Sequence, residues 1–242
     1  MHLYIILSEQ DGDVATITIN HADDGNRIND SMAVELADRI GAAAKESRLI
    51  LFKGAGDEFC LGRQGMGTHA PLLEALALRE RFEVIFNLYD AFRRSRVPII
   101  GIVQGRAVGL GCALAALCDV TIASDKARFQ LPEMAHNVMP TIAMSALVDR
   151  VPRKAIMYLV YSTEEIDAHQ AFSFGLVSNV VPADRLASSE KNLVDRLKKF
   201  PLPALTAVKE YTRSALRMDT QAANDFARNL HATVNSSSTM RR

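Results

Sequence analysis

The residues best suited to do chemistry lie in GRAVGLGCALAALCD, from Gly105 to Asp119. This run follows VPIIGIVQ, a buried-strand pattern, and reads as strand, tight turn and helix. Gly105, Gly109 and Gly111 permit a sharp turn and close backbone approach. The CALAALC that follows is a good helix former. A helix starting there aims free backbone N–H groups and positive dipole charge at whatever sits before it. Such a place suits a phosphate, a carboxylate or the oxygen of an enolate.

Other chemistries are poorly served. A dinucleotide site needs G-x-G-x-x-G, but Gly109-x-Gly111 continues to Leu114 and Gly54-x-Gly56 continues to Phe59, so both lack the third glycine. There is no P-loop lysine pattern and no G-x-S-x-G elbow. His69, His136 and His169 lack zinc spacing, so no metal is expected. Cys60, Cys112 and Cys118 have neither metal nor disulfide spacing and read as buried thiols of a reducing compartment.

The elements that must position the glycine turn follow from pattern. The chain has 242 residues, 48% hydrophobic and 23% charged, enough for one large domain with its own core. Lys+Arg and Asp+Glu both number 28, so the net charge is zero and neither nucleic acid nor an anionic membrane is implied as a partner. Near-neutral charge gives little protection against self-association and favours an oligomer. The opening MHLYIILSEQ is too short in its apolar run for a membrane span or signal segment. A cytoplasmic protein is the expectation.

Leu3 to Leu7 and Val14 to Ile19 read as strands around Asp11-Gly12, a hairpin signal. After the polar loop HADDGNRIND, a helix is predicted from Ser31 to about Ala44, capped by Asp30 or Ser31. Arg48 to Phe52 is a short buried strand, Pro71 to Arg94 is helical, Pro98 opens a central strand, and Val120 to Ser124 is the strand after the glycine-turn helix. Strands alternating with helices at this spacing imply βαβ units. Helices follow over Lys154 to Val160 and Asp167 to Phe174, the latter closed by Gly175. A strand-like LVSNVVP comes next. Beyond Arg185 the chain is helical almost throughout, broken at Pro201 and Pro203.

Four blocks, in order, carry a resemblance: DGNRINDSMAVEL, FKGAGDEFCLGRQ, VPIIGIVQGRAVGLGCALAALCDVTIASDKARFQLPEM and EIDAHQAFSFGLVSNVVP. Together they are similar to the enoyl-CoA hydratase/isomerase (crotonase) family, from Leu3 to about Met218. The resemblance implies an α/β fold, a spiral of ββα turns over residues 1–185. A C-terminal helical oligomerisation region over 186–242 completes it, and members usually form trimers or hexamers. It implies an acyl-CoA thioester substrate, coenzyme A being part of that substrate rather than a separate cofactor.

In that family two backbone N–H groups polarise the thioester carbonyl. By motif these fall at Leu61, in FCLG, and at Leu110, in VGLG, with Gly109 and Gly111 flanking the substrate. Related hydratases carry two glutamates. Here the first position is Ala113 and the second is Glu133, in LPEM. A methyl group can neither position water nor move a proton. One carboxylate suffices to remove an α-proton and return it to the γ-carbon. The resemblance therefore implies a 3-enoyl to 2-enoyl-CoA isomerase with Glu133 as base and acid. The alternatives are a hydratase or other enolate enzyme with a second acid elsewhere, or a non-catalytic acyl-CoA-binding subunit. His136 and His69 are candidates for the missing acid. The loop GNRIN matches the segment that approaches the CoA nucleotide. Arg27, or Arg63 in LGRQ, would hold a phosphate by charge-assisted hydrogen bonds. Asn137 stands where glycine is usual and Thr141 where many members carry glycine or an acid. The helix over Leu72 to Leu88 is expected to line the acyl pocket.

Overall fold

A computed structural model describes residues 5–65 and 74–240. Leu3, His69 and the expected helix start at Pro71 to Leu73 lie outside the described residues. In chain order, the first half holds β1 (Ile6–Asp11), β2 (Val14–Ile19), α1 (Asp30–Glu46), β3 (Leu49–Gly54), α2 (Ala75–Arg94), β4 (Ile99–Val103), β5 (Arg106–Val108) and α3 (Leu110–Leu117). The second half begins with β6 (Val120–Ser124), β7 (Arg128–Gln130), α4 (Thr141–Leu147), α5 (Arg153–Ser162), β8 (Ile166–Asp167), α6 (Ala168–Ser173) and β9 (Asn179–Val181). It closes with α7 (Leu186–Leu197), α8 (Leu202–Ala215) and α9 (Thr220–Asn235).

β1 and β2 form the expected antiparallel hairpin, with Asp11 opposite Val14. From β2 onward the larger sheet is parallel, in the order β1-β2-β3-β4-β6-β9. A parallel sheet is stable when both faces are covered, and its strands are then apolar on both sides. β3 obeys this: Ile50 and Phe52 enter the main core, while Leu49 and Leu51 enter a second cluster on the other face. Phe52 meets Phe59 and Phe92 edge-on at 5.7 and 5.1 Å. α7 covers the opposite face through Leu186, Leu193, Val194 and Leu197. An amphipathic helix here completes the sheet as well as leading to the C-terminal region.

A second, smaller sheet runs β5-β7-β8. Three times the chain leaves the large sheet, touches this second layer and enters a helix. β3 leads to Cys60, which bridges to Ala107; β4 leads to β5, and β6 to β7. This is the ββα spiral. β5, β7, β8 and α4 had no distinct sequence signal. The strands are two or three residues long and exist because their partners lie alongside.

Two local expectations change. α1 is capped by Asn29, not by Asp30 or Ser31: its extended backbone lets its side-chain oxygen accept from the Met32 amide at 2.9 Å. The Ser31 hydroxyl instead donates to that same oxygen at 2.7 Å. Asn137 takes the left-handed conformation, φ 57°, that closes the short turn after Glu133. Asparagine tolerates that conformation better than other residues with a Cβ, so it serves where glycine was expected. The three cysteines are buried free thiols, and burial pushes Cys60 up to about 12. Among the described residues no helix is long and apolar enough to cross a membrane.

Candidate active site

Two glycine-rich turns, far apart in sequence, are stitched together by backbone. The Phe59 and Cys60 amides both donate to the Arg106 carbonyl at 3.1 Å, and the Val108 amide returns to the Cys60 carbonyl at 2.9 Å. The Gln104 side-chain amide donates to the carbonyls of Gly54, Gly56 and Glu58 at 2.9 to 3.0 Å. Glu58 accepts from the Arg106 amide at 2.7 Å and from its guanidinium at 2.8 Å. Such closeness excludes side chains at the crossing: a Cβ on Gly111 would lie 2.0 Å from the Cys60 carbonyl oxygen. Gly111 is therefore a packing residue that presses α3 onto the first turn.

A third loop joins them. Asn26 is fully buried at φ 57°. Its side chain accepts from the His21 amide at 2.9 Å and donates to the Ala55 and Glu58 carbonyls at 2.8 and 2.7 Å. With three partners it organises the loop and has no spare group for a ligand. Ile28 then pairs with Gly62 and Gln64, its amide and carbonyl bonded at 2.9 Å each.

α3 starts where these turns meet. Gly109 has φ 53°, ψ −113°, and its carbonyl accepts the first helical bond, from Ala113 at 3.0 Å. The amide of Leu110 stands at the helix start, while the Leu110 side chain is buried. Gly62, at φ 104°, lies over this helix end: its missing Cβ would sit 3.1 Å from the Val108 carbonyl and 3.9 Å from the Leu110 nitrogen.

Glu133 completes the cluster. It follows β7 and Pro132, in a short helical turn over Glu133–His136. One carboxylate oxygen lies 3.1 Å from where a Gly109 Cβ would be, so any larger residue at 109 would crowd it. The other oxygen is buried and has no hydrogen-bond partner among the described residues. Burial raises the Glu133 carboxyl above its ordinary value, with its own backbone amide and His136 partly offsetting this. The charge of Glu133 in turn acts on the Tyr89 phenol and the Cys112 thiol, which burial already holds above their usual ranges. A residue of α2 and a residue of α3 thus both lie within electrostatic range of the carboxylate. Tyr89 went unnoticed in the sequence because an aromatic residue at helical spacing looks like any other core residue.

The comparisons with known proteins agree with this architecture. The enoyl-CoA hydratase/isomerase family model matches residues 9–242. The chain belongs to the enoyl-CoA hydratase/isomerase family. It is 30% identical over 220 residues to a 2,3-dehydroadipyl-CoA hydratase of Escherichia coli, covering 90% of this chain and 85% of the relative. It is 27% identical over 234 residues to a short-chain-enoyl-CoA hydratase of Clostridium acetobutylicum, covering 93% and 87%. The crystal structure of an enoyl-CoA hydratase from Mycobacterium smegmatis superposes with a TM-score of 0.93 at 24% identity, covering 98% of this chain and 93% of that one.

Within this crotonase fold, the residues singled out from sequence fare differently. Leu110, Gly109 and Glu133 converge. The Leu61 amide, expected to face a thioester, instead donates to the Gly25 carbonyl at 2.9 Å. Its preceding strand pairing turns it toward the Asn26 loop. Ala113 is fully buried in α3. Arg27 pairs with Asp24 at 3.2 Å and remains two-fifths exposed, at 40%. Arg63 is drawn away from the solvent by Asp30, at 2.5 Å, and by the ring of Phe82, 5.1 Å from its guanidinium carbon. Thr141 is exposed at the start of α4.

Proposed function

We propose that this crotonase-family chain isomerises 3-enoyl-CoA to 2-enoyl-CoA, with Glu133 as the single proton shuttle. The observation that carries this reading is the buried, partly unpartnered carboxylate of Glu133 in a chain whose other family position is Ala113. The carboxylate is half-buried and one of its oxygens lacks a hydrogen-bond partner among the described residues. Ala113, where the family resemblance places a second glutamate, is fully buried in α3 and offers only a methyl group. The groups that move the Glu133 titration are burial, its own amide and His136; a second carboxylate is not among them. In the reaction, Glu133 takes the proton from C2 of the acyl chain, and the electron pair delocalises into a dienolate. The protonated Glu133 then returns the proton to C4, leaving the double bond between C2 and C3. Atoms balance without water.

The Leu110 amide is one donor to the thioester oxygen. With the Leu61 amide bonded to Gly25, the second donor in this reading is the amide of Arg63. Ile28 bonds the residues on either side of Arg63, so the Arg63 amide points away from that pairing, as alternate residues of a strand do. Gly62, just before it, lies against the Leu110 nitrogen. A preorganised donor of this kind lowers the barrier by about 2.7–4 kcal/mol. Arg27, exposed on the loop rim, is the side chain suited to a CoA phosphate, since Arg63 is engaged by Asp30 and Phe82.

The second reading is a hydratase. The names of the E. coli and C. acetobutylicum relatives favour it, and His136 is the titratable group that acts on Glu133. Incubation with 3-enoyl-CoA and 2-enoyl-CoA of several chain lengths in deuterated water, followed by mass spectrometry, separates the two. Conversion of the 3-enoyl form without hydrated product supports the isomerase. Addition of one water to the 2-enoyl form overturns it. Binding without either change would support a non-catalytic acyl-CoA-binding subunit.

The chain is further proposed to act as a trimer, or a hexamer built from trimers, through its C-terminal helices. α7, α8 and α9 hold a single buried residue, Lys209, and leave Val208 exposed at 66%. Apolar surface of this kind is suited to association.

A further inference from the structure

A cavity of about 730 Å³ lies between the C-terminal end of α2, the segment Val148 to Pro152 and the last turns of α8. It is separate from the Glu133 cluster, which contributes none of its lining. Six of its lining residues are cationic and three are acidic. The acids are already committed. Asp149 holds Arg93 at 3.0 Å, Asp90 holds Arg94 at 2.8 Å, and Asp119 holds Lys209 at 2.7 Å. Asp119 also accepts from the Ile99 amide at 2.8 Å.

Two arginines of the lining remain without an acid, and a third is paired only at long range. Arg150 lies 3.9 Å from Asp119 and 4.0 Å from Asp149, and its Nε is buried with no hydrogen-bond partner among the described residues. A buried N–H on a charged group is costly to leave unpaired. Arg213, near the end of α8, and Arg217, in the turn that follows it, line the cavity, and among the described residues neither guanidinium forms an ion pair. The chain as a whole is neutral, with 28 charges of each sign, so this surplus is local. A concave site with two unpaired guanidinium groups, and a third held by its acids only at 3.9 to 4.0 Å, concentrates anions, and guanidinium forks match phosphate oxygens. Val148 and Leu216, exposed at 71% and 73%, supply an apolar wall beside the charge. The volume falls within the ordinary range of small-molecule sites.

We propose that this cavity binds a phosphate-bearing ligand, its oxygens held by Arg150, Arg213 and Arg217. The site does not depend on which reaction Glu133 performs. Two sources share this chemistry, a free inorganic phosphate and an organic phosphate whose body rests on Val148 and Leu216.

The test is calorimetric titration of the full chain at low salt with inorganic pyrophosphate and, separately, with ADP. The comparison is the double variant Arg213→Ala/Arg217→Ala, both positions being exposed, the first on α8 and the second just beyond its end. The expected result is saturable binding of one ligand per chain, weakened at least tenfold in the variant, with unchanged thermal melting and acyl-CoA turnover. Equal affinity for the two probes assigns the site to the free anion, and tenfold tighter ADP assigns it to an organic phosphate. Absence of saturable binding by either probe overturns the proposal. So does binding that the double variant leaves intact, since that belongs to the acyl-CoA site.

Discussion

Glu133 is set up by what surrounds it more than by what touches it. Its carboxylate rests against the bare backbone of Gly109, and burial holds its proton more tightly than an ordinary glutamate does. A base poised this way works best when its affinity for protons is raised toward the operating pH. Glu133→Gln is expected to lower kcat about 10²–10⁴-fold in the 3-enoyl-CoA assay, while leaving acyl-CoA binding nearly unchanged. In the wild type, activity should fall as pH drops through the Glu133 value, and that acid limb should lie above the usual carboxylate range. A limb at the ordinary value would mean that a solvated carboxylate, not Glu133, is the base.

The same shift has a consequence for stability, with a definite sign. A carboxyl whose folded value is raised binds protons more tightly in the native state than in the unfolded chain. Its contribution is fully present below the unfolded value and is lost as pH rises through the folded one. At neutral pH the charged Glu133 is therefore a burden that glutamine does not carry. Denaturation of Glu133→Gln should show higher stability than the wild type at pH 7, with the gain disappearing in acid. An equal difference at every pH would assign the effect to packing instead.

At the scale of elements, the C-terminal half is locked to the sheet by one buried cation. Lys209 of α8 is 7% exposed and donates to the Phe92 and Val97 carbonyls and to Asp119. Asp119 begins the β6 region and also holds the Ile99 amide, so β4 and α8 meet at one carboxylate, and α2 joins them through the Lys209 ammonium. Removing one partner of such a pair leaves the other charge buried and uncompensated. Asp119→Asn is expected to cost about 3–5 kcal/mol of unfolding free energy in urea titration. A loss below about 1 kcal/mol, the range of exposed pairs, would show that water reaches Lys209.

At the scale of the whole molecule, the large sheet is covered on both faces, yet α8 and α9 keep apolar residues outside. Tyr211 and Phe226 stack across the two helices at 5.7 Å, which holds them together as a unit. Light scattering at micromolar concentration is expected to give three or six times the 26.6 kDa chain mass. A monomer at that concentration would remove the C-terminal helices from any role in assembly.

Much of this protein is legible along the chain. The alternation of apolar strands and amphipathic helices follows from local side-chain pattern, as does the helix that starts at Gly109. Buried cysteines without disulfide or metal spacing can also be read directly. These are properties of neighbouring residues, and the physics that decides them is short-ranged. The three-residue strands β5 and β7 exist only because a partner supplies their hydrogen bonds. The occupied Leu61 amide depends on a loop that begins at Gly25, and the buried orphan oxygen of Glu133 depends on α2 and α3 packing around it. The place of Tyr89 and the arginine-lined cavity become visible only when residues far apart in the chain share a surface. Burial, dielectric and the direction of an amide belong to the folded contact, and that contact is what the tertiary structure alone decides.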